Sequence, residues 1–139
     1  MYPLLYLRRL LNNRSLFGYI NNGDDNMNIL ITGARSNIGY SVAKALALRG
    51  HIVYAGCKTI KEKETLEIKL EEEKIIMFPI VLNLLNSDFS IIDNLDLDVL
   101  ILHASIGNGG SILELSLERL REVIDVNIIG NFKLLQRYL

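Results

Sequence analysis

Eight residues, Thr32-Gly33-Ala34-Arg35-Ser36-Asn37-Ile38-Gly39, carry the clearest chemical signal in the chain. They follow a short apolar run, Asn28-Ile29-Leu30-Ile31, and precede an amphipathic one, the context of a strand-to-helix turn. Gly33 permits a tight turn out of the strand, and Gly39 lets a helix lie close against it. Such a helix starts with N–H groups that have no acceptor inside it and with the positive end of its dipole, a grip for a pyrophosphate. Asn37 stands where a further glycine often lies, and asparagine is the non-glycine residue most tolerant of a positive φ.

The elements that must position this loop alternate. Strands are expected at Asn28–Thr32, His51–Ala55, Ile75–Ile80 and Val99–Leu102. A helix is expected from Ile38 to Arg49, with Val42, Ala45 and Leu46 at helical spacing and Gly50 as its stop. A second, charge-rich helix runs from Ile60 to Glu73, with Leu66 and Leu70 on one side and Lys63 and Glu67 paired on the solvated side. Between the third and fourth strands there is a short helix at best. Leu117 to Tyr138 reads as one long amphipathic helix with Leu120, Val123, Ile124 and Val126 among its apolar positions. Strand–helix alternation predicts an α/β, doubly wound parallel sheet with right-handed crossovers, and ligands at the carboxyl ends of its strands.

Composition narrows the function classes. The 139 residues are 50% hydrophobic and 22% charged, enough to bury one core. A net charge of -1 gives no field for gripping a nucleic-acid backbone. One cysteine, Cys57, excludes an intrachain disulfide framework and a cysteine-rich zinc site, and fits a reducing, cytoplasmic compartment. Cys57 beside Lys58 would have a depressed pKa if it were reactive; an inert thiol is the expectation. Neither histidine, His51 nor His103, has the spacing or carboxylate company of a metal ligand. No run reaches the roughly 18–20 apolar residues that span a bilayer. Residues 1–26 carry Arg8, Arg9 and Arg14 and no acid before Asp24. They are read as a poorly ordered extension to a domain starting at Met27, with a transit peptide or a membrane-lying helix as alternatives.

With these residues in view, the chain resembles the classical short-chain dehydrogenase/reductase family. Thr32 to Gly39 matches that family's Thr-Gly-x-x-x-Gly-x-Gly except at Asn37. The segment Leu97-Asp98-Val99-Leu100-Ile101-Leu102-His103-Ala104-Ser105-Ile106-Gly107 is similar to its Leu-Asp-x-Leu-Val-Asn-Asn-Ala-Gly-Ile, although only Ala104 survives of Asn-Asn-Ala-Gly. Asp125-Val126-Asn127-Ile128-Ile129-Gly130 is similar to its Asp-Val-Asn-Leu-x-Gly in the fifth helix. The resemblance covers Met27 to Leu139. It implies a Rossmann-type sheet of about four strands in the order 3-2-1-4, truncated after the fifth helix, and NAD or NADP as cofactor.

NAD sites place an acid after the second strand for the ribose 2′-OH, but that turn here is Gly56-Cys57-Lys58. Lys58 and Arg35 are basic where the family's NADP enzymes are basic, so NADP is expected over NAD. By resemblance, Asn83 takes the place of the aspartate that bonds the adenine. The cofactor-binding set is therefore Gly33, Arg35, Ser36, Asn37, Ile38, Gly39, Lys58, Asn83 and Ala104. His103 is expected to be packed or beside the ribose rather than a proton carrier.

The family's chemistry uses a serine, a tyrosine, a lysine four residues after it, and an asparagine that holds a water in a proton relay. Asn127 matches the asparagine, in a supporting role. Tyr40 lies in a helix, Tyr54 in a strand and Tyr138 at the end, so no catalytic tyrosine is assigned. The resemblance thus implies the cofactor-binding part of a carbonyl or alcohol oxidoreductase, inactive on its own. The alternatives are a non-catalytic dinucleotide-binding or interaction module, and half of a split enzyme. The open edge of the fourth strand and the apolar stripe of the last helix predict a homo-oligomer or association with a full-length relative.

Overall fold

The structure, a computed structural model, describes residues 26–86, 88–107 and 109–139. The expectation for residues 1–26 falls almost wholly outside them. Strand β1 (Asn28–Thr32) is followed by helix α1 (Asn37–Leu48), β2 (Ile52–Cys57), α2 (Ile60–Glu73) and β3 (Phe78–Val81). A single 3-10 stretch (Ser90–Asn94) then leads to β4 (Val99–Ile101). The strands form one parallel sheet in the order β3-β2-β1-β4, as the alternation predicts.

Strand β1 is central and buried on both faces. Leu30 points to one side and Ile31 to the other, each almost fully buried, and each such side chain contributes about 2 kcal/mol of transfer free energy. On the Ile31 side, α1 and α2 cover Val53 and Ala55 with Tyr40, Ala43, Leu66 and Leu70. On the Leu30 side, Phe89, Ile92, Val126 and Leu134 close a second core. The result is a sheet sandwiched between helical layers.

Both crossover helices end in the same six-to-one device. In α1, Gly50 takes φ +91°, and the Gly50 and His51 amides donate to Ala47 and Leu46. Gly50 is thus the stop that its position predicts. In α2 the left-handed residue is Lys74, at φ +55°, and the Ile75 amide returns to Leu70. That bond moves the third strand. Ile75 packs against the α2 core and Ile76 is 80% exposed, so β3 begins only at Phe78 rather than at Ile75. The face of α1 differs as well: Gly39, Tyr40 and Ala43 are buried, while Val42 and Ala45 face water.

The last helix is continuous but not uniform. Helix α3 (Leu117–Ile124) widens into a π-helical segment (Asp125–Gly130) before α4 (Asn131–Tyr138). Asn131 explains how the wide turn is tolerated, because its Nδ2 lies 3.3 and 3.1 Å from the Val126 and Asn127 carbonyls. A Cβ on Gly130 would sit 2.4 Å from the Leu84 carbonyl, so only glycine lets this segment meet the loop after β3. Val126 and Leu134 are buried, whereas Leu120 and Ile124 lie on an exposed apolar stripe with Leu117, Ile128 and Phe132.

Candidate functional site

The carboxyl ends of the four strands lie along one edge, where the loops after them converge. Thr32, almost fully buried at the end of β1, ties that edge together. Its Oγ1 accepts from the His103 and Ala104 amides at 3.0 and 2.9 Å, and donates to the Ile101 carbonyl at 3.5 Å. The loop after β4 is thereby fixed against the glycine loop.

Gly33 has φ +69°, and a Cβ there would lie 2.9 Å from the Ala104 Cα. A Cβ on Gly39 would lie 2.5 Å from the Gly33 carbonyl oxygen and 2.8 Å from His103 Cδ2. Both glycines are therefore required by contact. Asn37 is not required by conformation: it is the first residue of α1 and has no positive φ, contrary to the reason given for it above. Ser36 caps the helix, accepting from the Gly39 amide at 3.1 Å. His103 Nε2 lies 2.8 Å from the same Ser36 hydroxyl. Arg35, Ser36, Asn37 and Ile38 are exposed, and the Asn37 and Ile38 amides have no acceptor inside their helix.

Beyond β2, Lys58 is exposed, and its backbone amide donates to Glu62 Oε2 at 2.9 Å. Thr59 caps α2, its hydroxyl accepting from the Glu62 amide at 3.2 Å. The other carboxylate oxygen of Glu62 is 3.4 Å from Arg35 Nε. Sequence reasoning searched the turn Gly56–Lys58 for an acid and missed this one. The signal was present in Thr59-x-x-Glu62, the spacing of a capping box, which brings a carboxylate back to the start of its helix. Cys57 is buried, and burial, aided by the Glu62 carboxylate, pushes its thiol up to about 11. Its surroundings thus raise its pKa rather than depress it.

The remaining positions are held by local bonds. Asn83 Oδ1 accepts from the Leu85 amide at 3.0 Å, which leaves its NH2 group as the end without a partner among the described residues. Asn127 bonds the loop after β4 through both ends of its amide, at Ile106. Arg119 Nη2 donates to the Gly107 carbonyl at 2.6 Å. Gly33, Arg35, Ser36, Asn37, Ile38, Gly39 and Ala104 are thus gathered around one loop. Lys58 joins them through Glu62, while Asn83 stands beyond β3.

The family described as short chain dehydrogenase matches residues 27–139, the whole of this sheet and its helices. The chain belongs to that family. An uncharacterized oxidoreductase of Myxococcus xanthus is 30% identical over 108 residues, which are 73% of this chain and 43% of that protein. A 3-oxoacyl-[acyl-carrier protein] reductase from Brucella melitensis is 25% identical, with a TM-score of 0.68 over 79% of this chain and 45% of that one. A short chain dehydrogenase from Burkholderia cenocepacia, solved in complex with NADP, shares the fold at 22% identity and a TM-score of 0.69. There 83% of this chain covers 50% of the other, so this short-chain dehydrogenase spans about half the length of such relatives.

A Tyr-x-x-x-Lys spacing occurs at Tyr40–Lys44 and at Tyr54–Lys58. Neither pair is placed for proton transfer. Tyr40 donates to Glu73 Oε2 at 2.6 Å, and Lys44 Nζ holds the same oxygen at 2.7 Å. Burial, then that bond, pushes the Tyr40 phenol up to about 12, the opposite of an activated acid/base. Tyr54 lies in β2 with its ring centroid 5.7 Å from that of Phe78, and four residues of strand separate it from Lys58 by roughly 13 Å. Among the described residues no helix is long and apolar enough to cross a membrane, and no group of His, Cys, Asp and Glu is placed to hold a metal.

Proposed function

We propose that this short-chain dehydrogenase holds a nicotinamide dinucleotide along the carboxyl edge of its sheet, NADP in preference to NAD. The observation that carries the reading is the exposed, Ser36-capped start of α1 beside the Gly33–Ala104 contact. The close packing that forbids a Cβ at Gly33 or Gly39 brings the backbone turn and the open Asn37 and Ile38 amides together, which supports a pyrophosphate at the start of α1. In this reading Gly33, Ser36, Asn37, Ile38 and Gly39 take the pyrophosphate, and Ala104 backs it. Arg35 and Lys58 attract a 2′-phosphate, and the Asn83 NH2 group meets the adenine. Asn127 acts as a positioning residue for the loop after β4.

A dinucleotide of this kind donates or accepts the hydride when carbonyls and alcohols are interconverted. Residues 27–139 are the unit that binds it, residues 1–26 an extension, and a small carbonyl or alcohol in the cytoplasm the substrate class. The proton-transferring tyrosine and lysine are not assigned within these 139 residues. A second reading, an interaction module that pairs with another copy or a longer relative, draws on the exposed stripe of Leu117, Leu120, Ile124, Ile128 and Phe132. Sedimentation equilibrium that returns a monomer argues against it.

Calorimetric titration of the native chain and of Lys58→Glu tests the cofactor assignment. Replacing the cation by an anion is expected to weaken NADPH about tenfold and NADH less than about twofold. Equal losses for both contradict the 2′-phosphate assignment.

A further inference from the structure

The carboxylate of Glu62 joins the two places from which a 2′-phosphate would be held. One oxygen is fixed by the Lys58 amide at 2.9 Å, and the other pairs with Arg35 at 3.4 Å. The two partners are not equally free. The Arg35 side chain is 60% exposed and that of Glu62 only 27%, and the Glu62 backbone is itself held by the Thr59 cap. Arg35 is therefore the member that can swing away, while Glu62 stays at the start of α2, where the helix dipole favours its charge.

We propose that Glu62 is a specificity-determining residue: by pairing with Arg35 it narrows the preference for a dinucleotide with a 2′-phosphate over one with a free 2′-hydroxyl. This rests on the dinucleotide reading given above. A 2′-phosphate that recruits Arg35 must take it from Glu62, and the fixed carboxylate left behind repels the phosphate. A 2′-hydroxyl makes no such demand. The absence of an acid from Gly56–Lys58 therefore does not make this end of the site purely basic. Its acid comes from the first turn of the following helix and arrives already paired.

The test is Glu62→Gln, which removes the charge but keeps an oxygen to accept from the Lys58 amide, since glutamine serves in a capping box as glutamate does. Dissociation constants for NADPH and NADH are measured by calorimetry on the native chain, on Glu62→Gln, on Arg35→Gln and on the double variant. Glu62→Gln is expected to tighten NADPH about fivefold and to move NADH less than about twofold, the scale of one partly exposed ion pair. Arg35→Gln leaves the capped helix untouched and is expected to weaken NADPH selectively. In its background most of the gain from Glu62→Gln should disappear, because the two residues act as a pair. Binding of both dinucleotides with an NADPH/NADH ratio unchanged by Glu62→Gln overturns the role of Glu62 alone. A gain that persists in full without Arg35 also overturns it. A native chain that binds neither dinucleotide overturns the cofactor reading and this role with it.

Discussion

Asn127 grips Ile106 at both ends: its Oδ1 accepts from the Ile106 amide at 2.8 Å, and its Nδ2 donates to the Ile106 carbonyl at 2.8 Å. The loop after β4 is thereby held to the π-helical segment as one strand is held to another. Asn131, one turn on, donates towards the Ala104, Val126 and Asn127 carbonyls, and its own Oδ1 is buried with no partner among the described residues. Thr32 fixes the start of the same loop from β1. Each end of the Asn127 amide is thus engaged once in positioning the loop after β4.

Asn127→Ala is expected to lower stability by about 1–3 kcal/mol, since it removes two partly buried bonds and leaves the Ile106 N–H and C=O to find water. Urea unfolding followed by circular dichroism measures this. A change below about 0.5 kcal/mol would mean that the clamp is dispensable.

Gly39→Ala is expected to cost about 1–3 kcal/mol, because its Cβ meets the Gly33 carbonyl, a backbone atom that cannot step aside. Gly107 has open space around it, so Gly107→Ala should fall within about 0.5 kcal/mol of the native chain. Similar losses in the two variants would contradict the close approach at Gly39.

Glu73 makes part of the stability depend on pH. Its carboxyl is held below the usual range, first by the Lys44 bond and then by the Tyr40 hydroxyl. A depressed acid contributes stability that is present above its unfolded value, 4.5, and is lost as pH falls through the folded value. Glu73→Gln should therefore melt below the native chain at pH 7, and the gap should close as pH falls below about 4. The Tyr40 phenol works in the opposite direction: raised to about 12 in the folded state, it favours folding below its unfolded value near 10 and loses that contribution as pH rises further. A gap between the variant and the native chain that does not change with acid pH would contradict the coupling at Glu73.

Much of the framework is legible in the residues, and the exceptions have physical causes. The strand β1, the turn at Gly33 and the stop at Gly50 announce themselves because glycine marks positions where backbone conformation or contact forbids a side chain. The end of α2 gave no such mark, since Lys74 adopts the left-handed conformation without being glycine. Ile75 and Ile76 then read as strand, although Ile75 belongs to the helix cap. Widening to a π-helix over Asp125–Gly130 hardly changes an apolar pattern only six residues long, so periodicity could not reveal it. Glu62 was hidden for a different reason: a capping carboxylate acts at the residues before its helix, not beside its own position. The spacing at Tyr40–Lys44 misleads in the other direction, because a pattern alone does not say that a third residue, Glu73, holds both partners.

The central claim is that the glycine loop and the helix it opens hold a dinucleotide. Thermal unfolding of the chain, alone and with saturating NADPH or NADH, tests it most directly. A ligand at 100 times its dissociation constant stabilises the native state by about 2.7 kcal/mol, which raises the midpoint of a domain this size by several degrees. The expected result is one cooperative transition raised by both dinucleotides, and more by NADPH. A cooperative transition that neither dinucleotide moves would contradict the claim.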